Sequence, residues 1–189
     1  MTPKSCELIH GVEQQFYINH ISHYVLIQGL LDLLTETGRV VIVSSDLHKN
    51  CPRGGIDYKK LNCKEKYDPL ESYAISKFAN VAYARYLSRQ FEGSQRRSIA
   101  LHPGVIYTNL LRYQNVFVRS IASIFGRYLF KSIEQGAATQ CYAAVHPLAN
   151  AAVTGYMENC KETTAHPDVN SKRIQERLME ESEKIAGRE

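Results

Sequence analysis

The chain has 189 residues, 44 % apolar and 22 % charged, which suits one folded domain with room for a core. No run reaches the roughly 18 uninterrupted apolar residues of a membrane span, and the N-terminus shows no basic-then-apolar leader pattern. The net charge of +4 is uneven: residues 73–131 carry nine basic side chains against Glu92 alone. Such a patch suits the phosphates of a small molecule or an anionic membrane. A plain solvated face accounts for Arg85, Arg89, Arg96 and Arg97. No aromatic-basic recognition motif accompanies it, so nucleic acid is not an expected partner. Cys6, Cys51, Cys63, Cys141 and Cys160 form an odd set without C-x-x-C or zinc spacing, read as free thiols of a reducing compartment.

In chain order, residues 12–35 predict a helix whose apolar face runs through Phe16, Ile18, Ile21, Val25, Leu26, Leu30 and Leu33. Thr37-Gly38 ends it. Arg39-Val40-Val41-Ile42-Val43-Ser44-Ser45 follows, a β-branched run apolar on both faces, as expected inside a parallel sheet. After a long connection, Asp68-Pro69 opens a helix to about residue 92, with Ile75, Phe78, Ala79, Ala82 and Tyr86 on its buried stripe. Residues 98–103 predict a strand stopped by Pro103-Gly104. Amphipathic helices are expected over 115–130 and 132–146, a short strand over 154–159, and a charged helix over 168–187 within a C-terminal segment 165–189. The alternation predicts one α/β domain with a parallel sheet.

Tyr73-Ala74-Ile75-Ser76-Lys77 puts a phenol and an ammonium four residues apart, hence on one helix face. A lysine beside a tyrosine favours the phenolate and brings a pKa near 10 toward a working range, so the pair suits proton exchange with a carbonyl or alcohol oxygen. Alone, Y-x-x-x-K more often marks two solvated side chains. Here it stands between Ser44-Ser45 at a strand end upstream and Pro103-Gly104-Val105-Ile106-Tyr107-Thr108 downstream, with Asn19 in the first helix. His20 and His23 lie three apart but lack further ligands at metal spacing, so no metal is expected.

Asn, strand-Ser, Tyr-x-x-x-Lys and strand-Pro-Gly with a following Thr, in that order, resemble the catalytic half of the short-chain dehydrogenase/reductase family. The segments most resemble its retinol dehydrogenase and WW-domain oxidoreductase branch, over residues 10 to about 160. The resemblance implies a Rossmann-type sheet and hydride transfer between NADP, or NAD, and a hydrophobic alcohol or aldehyde such as a retinoid or sterol. It implies Tyr73 as acid/base, Lys77 as its tuning partner and ribose ligand, Ser45 as holder of the substrate oxygen, and Asn19 as part of a proton relay. Pro103, Gly104, Val105 and Thr108 would line the nicotinamide side together with Tyr73 and Lys77. Residues 110–131, apolar with interspersed Arg112, Arg119, Arg127 and Lys131, would form a lid over a lipophilic substrate or lie on an anionic membrane; an ordinary core helix is the competing account. The implied location is cytoplasmic, with peripheral contact at an intracellular membrane.

The family grips its dinucleotide with a glycine-rich turn after the first strand, and no G-x-G-x-x-G occurs here. The resemblance therefore implies that the first strands precede Met1, so that binding is weak, turnover by this chain alone is absent, and Val40–Val43 forms an exposed edge. The alternative is a non-enzymatic truncated product serving as an interaction or dimerisation module, since the helices at 12–35 and 72–92 commonly pair across a homodimer in the family.

Overall fold

The computed structural model describes residue 3 and residues 5–62, 67–106, 130–151 and 155–187. It opens on a small antiparallel hairpin, β1 (Leu8–Ile9) with β2 (Val12–Glu13). The turn residues His10 and Gly11 both have positive φ, 49° and 79°, as a two-residue hairpin turn of this hand requires. The helix expected from residue 12 therefore begins two residues later. Glu13 caps it, its carboxylate accepting from the Phe16 amide. The helical stretch runs as α1 (Gln14–Phe16), a π-helical turn at Tyr17–Ile21, α2 (Ser22–Leu30) and a 3-10 turn at Leu31–Leu33.

Strand β3 (Arg39–Val43) is followed by 3-10 turns at Asp46–Asn50 and Tyr58–Asn62, then by α3 (Pro69–Gln90) and β4 (Arg97–His102). Asp68 starts α3 by accepting from the amides of Leu70 and Glu71, with Pro69 in the first turn, where its missing N–H costs nothing. After α4 (Ile133–Val145) come β5 (Tyr156–Glu158), β6 (Lys161–Glu162) and α5 (Lys172–Ala186). The C-terminal helix is thus shorter than the predicted 168–187 span, because Pro167–Asn170 forms a separate 3-10 turn. The expected helix at 115–130 lies outside the described residues.

Among the described residues the main sheet has the order β3-β4-β5-β6. The pairs β3–β4 and β4–β5 are parallel, while β6 returns antiparallel to β5, so the sheet is mixed rather than wholly parallel. Alternation along β3 sends Val40 and Ile42 to a core under α3 and Val41 to a second core. That second core holds Ile99, Leu101, Ala143 and Met157, so α4 covers the opposite sheet face. Arg39 reinforces this layer by donating to the carbonyls of Ala143 and His146 at the C-terminus of α4, where cations are favoured. The open edge of β3 carries Val43, 37 % exposed.

The large core is built around α3, which is buried continuously from Tyr73 to Ala84. Phe16, Ile21, Phe78, Tyr83 and Leu178 pack there without exposure. Cys6 is disulfide-bonded, which corrects the reading of all five cysteines as free thiols; Cys51, Cys141 and Cys160 are free. Among the described residues no helix is long and apolar enough to cross a membrane.

Candidate active site

The carboxyl ends of the parallel strands β3 and β4 lie side by side, because Val43 pairs with Leu101 and the Ser44 amide donates to the Leu101 carbonyl. Crevices at this end of an open α/β sheet are where ligands bind. The first turns of α3 run past the same edge. Ser44 Oγ donates to the Lys77 carbonyl over 2.8 Å, and Lys77 Nζ donates to the Val43 carbonyl over 3.3 Å. Two short segments far apart in sequence are thereby fastened at one point.

Tyr73 and Ser45 face each other, the Ser45 hydroxyl close enough to pull the phenol down against its burial. Ser45 also caps the following 3-10 turn, accepting from the Leu47 amide at 3.3 Å. Its neighbour Ser44 turns to the α3 backbone instead, so the two serines divide between a site-facing and a structural role. Lys77 Nζ sits 5.7 Å from the Tyr73 ring centroid. Asn19 lies in the π-helical turn, and its Nδ2 donates over 3.0 Å to Ser76 Oγ, which in turn donates to the Tyr73 carbonyl. Single π turns recur at functional sites, where one extra residue re-aims a side chain.

The electrostatics depart from the expected tuning. Burial pushes the Tyr73 phenol up, and the Ser45 hydrogen bond offsets part of this. Burial also lowers Lys77, to about 8. The physical reason in both cases is loss of solvent around the charged form. In this state the phenol is a held proton donor rather than a phenolate.

Pro103 and Gly104 follow β4 at the same sheet end. Gly104 has φ +95°, and a Cβ there would stand 2.6 Å from Lys131 Cδ. The positive φ favours glycine here, while the Lys131 side-chain end could move aside. Lys131 Nζ donates to the Pro103 carbonyl, the Lys131 amide bonds the Val105 carbonyl, and Ile106 pairs with Lys131. Val105 is exposed. Thr108 and most of the expected lid, 110–131, lie outside the described residues.

Ser76 and Asn80 were not singled out from the sequence, and His20 was considered there only as a metal ligand. Asn80 Nδ2 donates to the same Val43 carbonyl as Lys77, and its Oδ1 meets His20 Nδ1 at 3.3 Å. His20 Nε2 meets Ser182 Oγ at 2.9 Å. Burial lowers His20 to about 3, so it is neutral, with Nδ1 donating and Nε2 accepting. The available signal was spacing: Ser76 and Asn80 each lie three residues after Tyr73 and Lys77 on one helix.

The chain and its fold have counterparts among known proteins. Retinol dehydrogenase 14 from Homo sapiens is 33 % identical over 181 residues, covering 94 % of this chain and 53 % of that protein. Short-chain dehydrogenase TIC 32 B, chloroplastic, from Brassica napus is 36 % identical over 163 residues, covering 82 % and 51 %. The chain belongs to the short-chain dehydrogenase/reductase family. Human WW domain-containing oxidoreductase is 31 % identical over 183 residues, covering 93 % of this chain and 44 % of that protein. Among solved structures, an uncharacterized protein from Mycobacterium paratuberculosis superposes with TM-score 0.70 at 27 % identity, covering 97 % of this chain and 62 % of the other. No protein-family model matches the chain. This short-chain dehydrogenase/reductase spans about half the length of the curated relatives it matches.

Proposed function

We propose that this chain carries the proton-handling half of an oxidoreductase acting on a hydrophobic alcohol or aldehyde, retinoid- or sterol-like, with NADP. The observation that supports it most is the meeting of Tyr73, Ser45 and Lys77 at the carboxyl end of a parallel sheet. A nicotinamide bound there supplies or accepts the hydride. Tyr73 gives a proton to, or takes one from, the substrate oxygen, which Ser45 holds by a second hydrogen bond. Lys77 stands ready to reach a ribose hydroxyl once released from the Val43 carbonyl. Asn19 steadies Tyr73 through Ser76. The fit to a nicotinamide rests on Gly104, which has no side chain of its own and only the flexible end of Lys131 against its backbone. Pro103 and Val105 extend that wall in this reading, and Thr108, outside the described residues, is assigned to it by the motif alone.

The names of the retinol dehydrogenases point to a lipophilic alcohol, and the apolar stretch 110–131 supports a lid over such a substrate or peripheral contact with an intracellular membrane. Nothing in the chain offers a glycine-rich turn for pyrophosphate, so turnover by the chain alone is not expected. The test is a chimera joining this chain to the front half of retinol dehydrogenase 14. It is expected to oxidise retinol with NADP while the chain alone does not; a folded but inert chimera refutes the proposal. A second reading, an association module or homodimer partner, is favoured by one observation. Ile18, Val25, Leu26, Leu30 and Leu33 are all exposed.

A further inference from the structure

A cavity of about 380 Å³ opens at the other end of β4, away from Tyr73. Four arginines line it: Arg85 and Arg89 from the last turns of α3, Arg96 and Arg97 from the start of β4. These are the side chains that the sequence assigns to a plain solvated face. The structure gives them a concave wall instead. Phe91, Ile99 and Ala149 supply an apolar part of the lining, so the cavity offers charge on one side and a greasy floor on the other.

Two features set this apart from scattered surface charge. First, two guanidiniums, Arg96 and Arg97, are held in place by neutral carbonyls, while Arg85 also feels the Glu162 carboxylate. Arg96 donates to the carbonyls of Leu34 and Thr35, Arg97 to those of Ser94, Arg96 and Asn150, and Arg85 to Asn170 Oδ1. Carbonyls fix a guanidinium without neutralising it. Among the described residues, the ion pairs involve none of Arg89, Arg96 and Arg97. Glu92 is the one acidic side chain in the lining, which leaves the positive sign in excess. Second, Ser98 lines the cavity, is 3 % exposed, and its Oγ has no hydrogen-bond partner. It shares the sheet face of Ala100, whose core lies under α3. A buried hydroxyl without a partner is costly and marks a position where a ligand oxygen would be accepted.

We infer that this cavity binds a small phosphate-bearing anion, a phosphate monoester or diphosphate, whose non-ionic part rests on Phe91 and Ile99. Guanidinium groups recognise phosphate oxygens through paired, charge-assisted hydrogen bonds, and the volume suits a small ligand. The site is separate from the proposed reaction centre and does not depend on its assignment.

The test uses the full chain with inorganic pyrophosphate as the probe, followed by calorimetry and phosphorus NMR in chloride buffer. Saturable binding in the millimolar range or tighter is expected. Arg89→Gln, a side chain without backbone ties, and Ser98→Ala should each weaken it by about tenfold, with unchanged circular dichroism. Vesicles containing phosphatidylinositol 4-phosphate separate the two sources of the same chemistry. Recruitment reversed by pyrophosphate assigns the site to a lipid headgroup, and pyrophosphate binding without recruitment assigns it to a soluble phosphate. Absence of saturable binding, or binding that both variants retain at full strength, overturns the inference.

Discussion

Helices α2 and α3 are both rich in apolar residues, yet the structure treats them in opposite ways. From Tyr73 to Ala84 every residue of α3 is buried, between the sheet, the turn at Asp46–Asn50 and α5. No residue of α2 is buried, and Leu26 and Leu33, in α2 and the turn after it, stand 60 % and 76 % exposed. The contrast is not one of composition. It lies in what each helix has to pack against. Where the two approach, a polar chain joins them: Asn19 to Ser76, His20 to Asn80, and Gln28 Nε2 to the Tyr83 hydroxyl. Tyr73 and Lys77, the side chains proposed to handle the proton, sit on the buried helix, and Asn19 lies where the buried and the uncovered stretches meet.

The largest stability difference should come from truncating one residue in each helix. Phe78→Ala removes a fully buried ring and is expected to cost about 3–5 kcal/mol. Leu26→Ala should fall within about 0.5 kcal/mol of the parent. Denaturant unfolding of both variants checks the pair, and equal losses would show that α2 is covered in solution.

Acid stability sharpens the same contrast. His20 and His48 are buried and neutral, lowered by burial to about 3 and about 4. An unfolded chain takes up protons at these positions below about 6.5, where the folded chain does not. Stability is therefore fully present above that pH and falls as pH drops toward 4. In His20→Gln, unfolding midpoints between pH 7 and 4 should fall less steeply than in the parent, while the same change at half-buried His23, His23→Gln, should alter the slope less.

A smaller effect is expected at the alkaline side. Lys77 is lowered to about 8 by burial, below its unfolded value near 10.4, so the unfolded state holds the extra proton between these limits. Its contribution therefore rises with pH from about 8 to about 10.4. Lys77→Met should flatten that rise; the Val43 carbonyl keeps its bond from Asn80. An unchanged difference between the two proteins across this window would mean that the ammonium is solvated. Asn19→Ala should cost under about 1 kcal/mol of stability, because it removes one half-buried hydrogen bond.

Much of this arrangement could be read from residue order. Four β-branched residues placed β3, and Asp68-Pro69 placed the start of α3, because capping and ring geometry are local matters. The hairpin at 8–13 escaped, since His10 adopts a positive φ that few non-glycine residues take. The π turn around Asn19 was also hidden, because one extra residue per turn leaves the apolar spacing nearly intact. Tyr73, Ser45 and Lys77 could be nominated from their motifs. Their electrostatics could not: spacing gives proximity, but burial decides that Tyr73 stays protonated and that Lys77 is easily discharged. The arginine-lined cavity was legible only as charge, because its shape depends on carbonyls from Leu34, Thr35 and Asn150, which no periodicity announces.

The measurement that bears most directly on the proposed chemistry is kcat for the chimera with retinol and NADP, with and without Tyr73→Phe. If the phenol hydroxyl is the proton donor, its removal should lower kcat by about 10²–10⁴-fold with circular dichroism unchanged. A variant that keeps its rate would show that the hydroxyl beside Ser45 plays no part in the reaction.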